Sequence, residues 1–416
     1  MTGKISINGA RLRADLEALG RIGAVPGGGV SRTSFSAADA QARAWYRARC
    51  AEAGLRLEVD GIGNMFVSAP DEPEEFAARP AVWSGSHIDT VPNGGRFDGA
   101  LGALAALECV RRLHEEKVPL ARPVRAVVYS DEEGNYAHLL GSSALVRGFT
   151  RAELEALTGR DGDRFVDTFV TAGWDLERAT RTRVDPGRVH ATVELHIEQG
   201  PQLERLGHQI GVVTAIVGLG GGSVTFHGRA DHAGTTPMTM RSDALVGASA
   251  LIVQLPEIAR SVSDRAVITA GIISVAPGGA NVVPETATFS LDFRDLEQAR
   301  VEELARAITA AAHEVAQRYG LRVDVDLGPS IPPCQLDSRI QRIIADAAAA
   351  RGLLASHLPS GAGHDSQNLA RLAPTGMIFV PSVDGRSHCP EENTAWDDVE
   401  NGANVLLDTI VALADS

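Results

Sequence analysis

Cysteine is scarce in this chain: Cys50, Cys109, Cys334 and Cys389 are the only four among 416 residues. They share no short spacing, which argues against a disulfide framework and a thiolate zinc site and fits a reducing, cytoplasmic setting. Lysine-arginine runs and basic stripes are also missing. With a net charge of −14, nucleic acid and anionic membrane are disfavoured as partners. No run reads as apolar and long enough to span a bilayer. The stretch from Met1 to Gly20 carries Leu12, Leu16 and Leu19 among interleaved charges, so it reads as an amphipathic helix and not as a secretory signal. Tandem repeats and low-complexity linkers are absent too. The partners left are small molecules and another copy of the same chain.

What is present points to two domains. The length exceeds that of a usual single core. The first half alternates short β-branched runs with alanine- and leucine-rich stretches, the pattern of strand-helix units in a mostly parallel sheet. Pro80 to Trp83, Val124 to Tyr129 and Ala191 to Leu195 read as strands, and Gly99 to Leu113 as a covered helix. From about Thr214 the order becomes strand (Ser223 to His227), helix (Ser242 to Leu255), two strands (Ala266 to Val275, Ala287 to Phe293), helix (Leu296 to Tyr319) and strand (Arg322 to Leu327). That βαββαβ order predicts a compact insert over 214–328. Residues 1–213 and 329–416 then form one discontinuous α/β domain, closed by a helix from Asp337 to Ala350, a strand from Met377 to Val380 and a last helix ending near Ala414.

Four segments place a histidine or an acid just past an apolar strand: His87, the pair Glu132-Glu133, His196 and His388. Ligands in open α/β sheets bind beyond the carboxyl ends of strands. Asp98 joins them from the glycine-flanked loop Asn93 to Gly99. Three histidines and two carboxylates suit Zn²⁺, with Mn²⁺, Co²⁺ or Ni²⁺ as alternatives. Adjacent acids can divide two jobs, one holding a metal and the other moving a proton. Asp89, two residues beyond His87, is placed to accept that histidine's other N–H. His114, His138, His190, His208, His227 and His313 read as structural.

These blocks resemble the M20 metallopeptidase clan, and within it the amidase branch of N-carbamoyl-L-amino acid hydrolases, β-ureidopropionases and allantoate amidohydrolases. The resemblance is carried by Gly85 to Gly99, Glu132-Glu133-Gly134, Glu194 to Pro201, His232 to Met238, Asn281 to Pro284, Ser360 to Asp365 and Ser387-His388. It implies a dinuclear-metal exopeptidase-like α/β domain, with a mixed sheet flanked by helices, interrupted by a ferredoxin-like lid and dimerisation domain. It implies two divalent ions per subunit, one on His87, Asp98 and His196, the other on Asp98, Glu133 and His388. Glu132 is then the general base, deprotonating a metal-bridging water that attacks a linear ureido or amide C–N bond. His232 is expected to reach a neighbouring subunit's active site and stabilise the oxyanion, which requires a homodimer through the insert. Asn281 and Arg294 are expected to hold a substrate carboxylate, since a planar guanidinium matches it; the rival for Arg294 is a salt bridge with Asp292 or Asp295. Gln199 and the loop through Gly363 and His364 are further expected contacts.

Two places depart from the amidase pattern. Asn135-Tyr136-Ala137-His138 stands where relatives carry a small residue and Arg-Phe, so substrate contacts there are expected to change. The run Gly218 to Gly222 is glycine-rich, which suggests a larger pocket or a looser hinge. Allantoate hydrolysis, or hydrolysis of N-acyl amino acids or dipeptides, is the alternative reaction. A nucleotide-binding oxidoreductase is a weaker reading, because Gly218 to Gly222 lacks the G-x-G-x-x-G spacing. A silent binding protein on the same scaffold sits poorly with Glu132 beside a full ligand set.

Overall fold

The computed structural model describes residues 5–416, and the first residues of the expected amino-terminal helix lie outside that range. That helix runs Gly9–Leu19, started by the Asn8 side chain on the Arg11 N–H. The chain divides into two compact units. The first holds the described residues up to Thr214 with Leu336–Ser360 and His364–Ser416; the second holds Ala215–Gln335 with Gly361–Gly363.

In the first unit a mixed sheet runs in the order Arg56–Val59, Met65–Ser68, Val124–Tyr129, Ala81–His87, Val189–Ile197, Thr375–Val380, Ile210–Ile216. The middle four strands are parallel, pairing His87 with Tyr129 and His196 with Phe379. Ala81–His87 and Thr375–Val380 are buried at every position. Parallel strands covered on both faces read as continuous apolar runs for that reason. The helix Ala100–Glu115 packs through Leu101, Leu104, Leu107 and Val110, and Trp396–Ala414 through Leu406, Leu407 and Ile410, in one core with Val82, Val128, Leu195 and Ile378. All four parallel strands therefore present their carboxyl ends along one edge.

The second unit is an antiparallel sheet in the order Ile273–Ala276, Thr286–Asp295, Gly218–His227, Arg322–Leu327, with Val267–Thr269 also on Thr286–Asp295. The helices Ala244–Val262 and Gln298–Tyr319 share its core with Phe226, Phe289 and Phe293. Several boundaries differ from expectation, among them the start of the central strand, at Gly218 and not Ser223. The first helix continues past Leu255 with Pro256 inside it, because packing through Leu251, Leu255 and Ala259 outweighs one missing N–H. The expected strand Ala266 to Val275 breaks in two around Gly271. The helix Ala244–Val262 also corrects the expectation of no membrane-length segment: by length and composition it is apolar enough to cross one. Its buried stripe of Ala244, Gly247, Ala248, Leu251, Leu255 and Ala259 instead meets the sheet.

The glycine run at 218–222 is neither hinge nor pocket in this sheet. It is the first half of the central strand, paired residue by residue with Leu291 to Asp295. A Cβ at Gly220 would lie 2.2 Å from the Phe293 ring, and one at Gly222, whose φ is +151°, would lie 2.1 Å from the Asp326 carbonyl oxygen. Glycine here is room for an aromatic and a close backbone.

Candidate metal centre and active site

The carboxylate pair is turned inward by the acid before it. Asp131 sits at φ +54°, and its carboxylate accepts the N–H groups of Asn135 (2.7 Å), Tyr136 (2.9 Å) and Ala137 (3.0 Å). This Asx-type closure folds the chain back after the strand Val124–Tyr129. Glu132 is left buried, with Oε2 3.4 Å from His87 Nε2.

Each imidazole is oriented by a backbone carbonyl. His87 Nδ1 lies 3.0 Å from the Asp89 carbonyl oxygen, and His196 Nδ1 lies 2.9 Å from that of Ile197. A carbonyl only accepts, so Nδ1 carries hydrogen and Nε2 faces the site. This revises the role expected of Asp89. It holds the His87 tautomer through its carbonyl, while its Oδ1 stands 3.7 Å from the ring and its Oδ2 accepts the Glu133 N–H at 3.2 Å.

Asp98 is the centre of the arrangement. Its Oδ1 lies 3.2 Å from His196 Nε2 and 3.9 Å from His87 Nε2, and its Oδ2 lies 3.0 Å from His388 Nε2. His388 Nε2 is also 3.4 Å from Glu133 Oε1. The ligand atoms of His87, Asp98 and His196 lie within 4.8 Å of one another, and so do those of Asp98, Glu133 and His388. A third such group, Glu194, His196 and His364, has its acid already engaged: Glu194 accepts from the hydroxyls of Ser86 (2.8 Å) and Ser366 (2.6 Å).

The electrostatics follow from burial among like charges. Burial holds His87 down to about 4, leaving its Nε2 lone pair open at neutral pH. Burial, then repulsion from Glu133, Asp365, Asp98 and Asp89, pushes Glu132 well above the usual carboxylate range. Burial and Asp98 push Glu133 up to about 8. Burial opposes charge on His196, but the hydrogen bond and charge of Asp98 outweigh it and bring the ring to about 9. The Asp98 hydrogen bond does the same for His388, also to about 9.

The donor set fits divalent cations on three counts. It mixes imidazole nitrogen with carboxylate oxygen, which suits zinc and its neighbours. Among the described residues, Glu133 Oε1 is buried yet finds no hydrogen-bond donor. Gly99, at φ +63°, opens the floor of the site, since a Cβ there would lie 2.3 Å from His87 Nε2.

Other expected residues lie elsewhere or face elsewhere. Gln199 turns its amide onto Asp98 Oδ2 (3.1 Å) and Ser387 Oγ (3.3 Å), so it supports the ligand set. His364 is 2 % exposed, with Nε2 2.8 Å from Ser360 Oγ and its ring edge-on to His196 at 4.6 Å; it is packed behind a ligand and not displayed to substrate. Tyr136 likewise corrects the expectation of an altered substrate contact. It packs against Phe35 and Phe165 and bonds its hydroxyl to Asp163.

His232, Asn281, Arg294 and Gly363 belong to the second unit. His232 is exposed, and its Nδ1 accepts the N–H groups of Gly234 (3.0 Å) and Thr235 (3.2 Å), which leaves hydrogen on the outward Nε2. The bridge pairing His232 with Val282 sets it beside Asn281, whose carbonyl accepts the Ala233 N–H at 2.9 Å. Arg294 forks onto Asp292 at 2.8 and 3.0 Å and gives a third N–H to the Gly361 carbonyl at 2.9 Å. The rival reading of Arg294 as an Asp292 partner therefore describes its contacts.

Sequence reasoning missed several participants. His138, read as structural, places Nδ1 2.9 Å from the Glu132 carbonyl, and Arg160 donates to the Glu133 carbonyl at 2.6 Å. Glu392 accepts the N–H groups of Phe97 (2.8 Å) and Asp98 (3.1 Å). Only the last had a signal in the chain, an acid four residues beyond His388.

Residues 83–412 match peptidase family M20/M25/M40. The N-carbamoyl-L-amino-acid amidohydrolase of Paenarthrobacter aurescens is 37% identical over 97% of both chains. The allantoate amidohydrolase of Escherichia coli K12 is 34% identical over 95% of this chain and 96% of its own. The crystal structure of an amidase of the hydantoinase/carbamoylase family from Burkholderia vietnamiensis superposes with a TM-score of 0.91 at 33% identity, covering 100% of both chains. The chain thus belongs to peptidase family M20/M25/M40, beside its carbamoylase and allantoate amidohydrolase relatives, and is a hydrolase of carbon–nitrogen bonds.

Proposed function

We propose that this enzyme is a dimetal amidohydrolase of N-carbamoyl amino acids or related ureido acids, working in the cytoplasm as a homodimer. The observation that carries the reading is the convergence of His87, Asp98, Glu133, His196 and His388 around a buried Glu132. His87, Asp98 and His196 would hold one cation, and Asp98, Glu133 and His388 the other, with zinc first and manganese, cobalt or nickel as alternatives. Bound there, the cations would acidify a water and polarise the scissile carbonyl.

The chain's own residues do the rest. Glu132 acts as the carboxylate, the form that the charge of the bound cations would favour; it takes the proton of the attacking water and returns it to the leaving nitrogen. Asp89 fixes the His87 ring and the Glu133 backbone. The insert 214–328, most of the second unit, serves as a lid and dimerisation domain. Its His232, with hydrogen on Nε2, donates to the tetrahedral oxyanion of the neighbouring subunit. Arg294 still has an N–H on each terminal nitrogen for a substrate carboxylate, with Asn281 beside His232 as second donor and the Gly363 backbone as a further contact. Among the described residues the lid offers an edge strand, Ile273–Ala276, paired on one side only, and exposed Val253, Val267, Ile272 and Ile273. We assign the dimer to that face.

A carbamoyl substrate would yield ammonia, carbon dioxide and the free amine. Zinc- or manganese-reconstituted enzyme should be offered N-carbamoyl-L-amino acids, N-carbamoyl-β-alanine, allantoate and N-acyl amino acids, with ammonia and amine read separately. Turnover of N-acyl substrates alone, without ammonia, would overturn the ureido assignment in favour of an acylase or dipeptidase.

A further inference from the structure

We infer that Glu392 is the positioning residue that ties the two metal-ligand loops into one unit and so sets retention of the cation on Asp98, Glu133 and His388. The inference rests on the dimetal reading. Glu392 is 4 % exposed, and its two oxygens serve different loops. Oε1 accepts the N–H groups of Phe97 at 2.8 Å and Asp98 at 3.1 Å; Oε2 accepts the Ser387 hydroxyl at 2.8 Å. One rigid carboxylate thus joins the backbone of the shared ligand Asp98 to the residue next to His388.

The junction matters because His388 is held in an unfavourable conformation. Its φ is +56°, a region that residues other than glycine keep only where their surroundings over-determine it. The Glu392 N–H closes a turn onto the Cys389 carbonyl at 3.1 Å, so the same residue grips both sides of His388. Released from Ser387, His388 relaxes to ordinary φ and its Nε2 leaves Asp98. The loop opposite has been left clear for the carboxylate: a Cβ at Gly95 would lie 2.0 Å from Glu392 Oε1.

The test reads zinc and not turnover alone. Full-length apo-enzyme is loaded with Zn²⁺ and titrated against a chromophoric chelator, with bound zinc counted by atomic emission. Glu392→Ala should lose one zinc equivalent, the site on Asp98, Glu133 and His388 loosened about 10- to 100-fold as for other groups that orient ligands, while the site on His87, Asp98 and His196 holds. Glu392→Gln should restore wild-type retention, because its amide oxygen accepts both N–H groups and its NH₂ reaches Ser387. At saturating zinc, kcat of Glu392→Ala should recover with KM unmoved. If Glu392→Ala does not fold, Ser387→Ala removes the hydroxyl bonded to Glu392, which also meets Gln199 (3.3 Å) and Asp98 (3.4 Å), and should loosen the same zinc.

A Glu392→Gln protein as weak as Glu392→Ala would overturn positioning, since charge and not hydrogen bonding would then be what matters. His388→Ala is the control. Zinc lost in His388→Ala but kept in Glu392→Ala overturns this inference alone; zinc kept in both overturns the metal assignment together with it.

Discussion

His388 Nε2 stands 3.0 Å from Asp98 Oδ2, although the two residues are 290 positions apart and His388 is half-exposed on a left-handed backbone. The other oxygen of Asp98 faces His196 at 3.2 Å. A single carboxylate therefore addresses both ligand groups, and what stabilises one affects the other.

The adjacent acids should separate by experiment. Glu132→Gln is expected to lower kcat by about 10²- to 10⁴-fold with metal content unchanged, the signature of a lost proton carrier. Glu133→Gln should lose a metal equivalent, because an uncharged ligand binds more weakly. Equal metal loss in the two proteins, measured by atomic emission, would sink the division of labour.

Metal loading should expel protons. In the metal-free protein His196 and His388 are pushed up to about 9 and Glu133 up to about 8, so all three are protonated at pH 7. Binding should release at least the protons of these three ligands, and calorimetry in buffers of different ionisation enthalpy will count them. For the two histidines the folded pKa exceeds the unfolded one. Their contribution to apo-protein stability is thus fully present below about 6.5 and is lost as pH rises through about 9. An apo-enzyme whose melting temperature is flat from pH 7 to 10, with no proton release, would contradict this.

Gly99→Ala should be disproportionately harmful for one methyl. The new Cβ would meet His87 Nε2 at 2.3 Å on a backbone at φ +63°. A side chain on this backbone (φ +63°, ψ −45°) alone costs about 1–3 kcal/mol, and zinc retention should fall with it. Wild-type retention would mean that His87 is free to shift without loss of the metal.

Gly220→Ala tests the packing of the second unit independently of metal. Its Cβ would lie 2.2 Å from the Phe293 ring, and overpacking of this kind costs about 1–3 kcal/mol. Urea unfolding should show the loss at unchanged zinc content; a wild-type midpoint would return the glycine run to the role of a loose hinge.

Action across subunits has its own assay. His232→Ala and Glu132→Gln should each be nearly inactive, yet unfolding and refolding them together should restore roughly a quarter of wild-type activity through hybrid dimers holding one complete site. Restoration absent despite hybrid formation would confine His232 to its own subunit or remove it from the reaction.

Much of this was written in the chain itself. Continuous apolar runs followed by His87, Glu132, His196 and His388 mark buried parallel strands and their carboxyl ends, because a strand covered on both faces admits few polar residues until it ends. Helix and strand order in the second unit follows from local periodicity for the same reason. Tertiary structure decided what periodicity does not encode. It used the Asp89 carbonyl to orient His87, sent Gln199 to Asp98, packed His364 behind His196, turned Tyr136 into an aromatic cluster and gave Arg294 to Asp292. It also brought Glu392 to the Asp98 backbone. These are choices among hydrogen-bond partners distant in sequence or equally near, and they are settled only when burial forces each polar group to find a donor or acceptor.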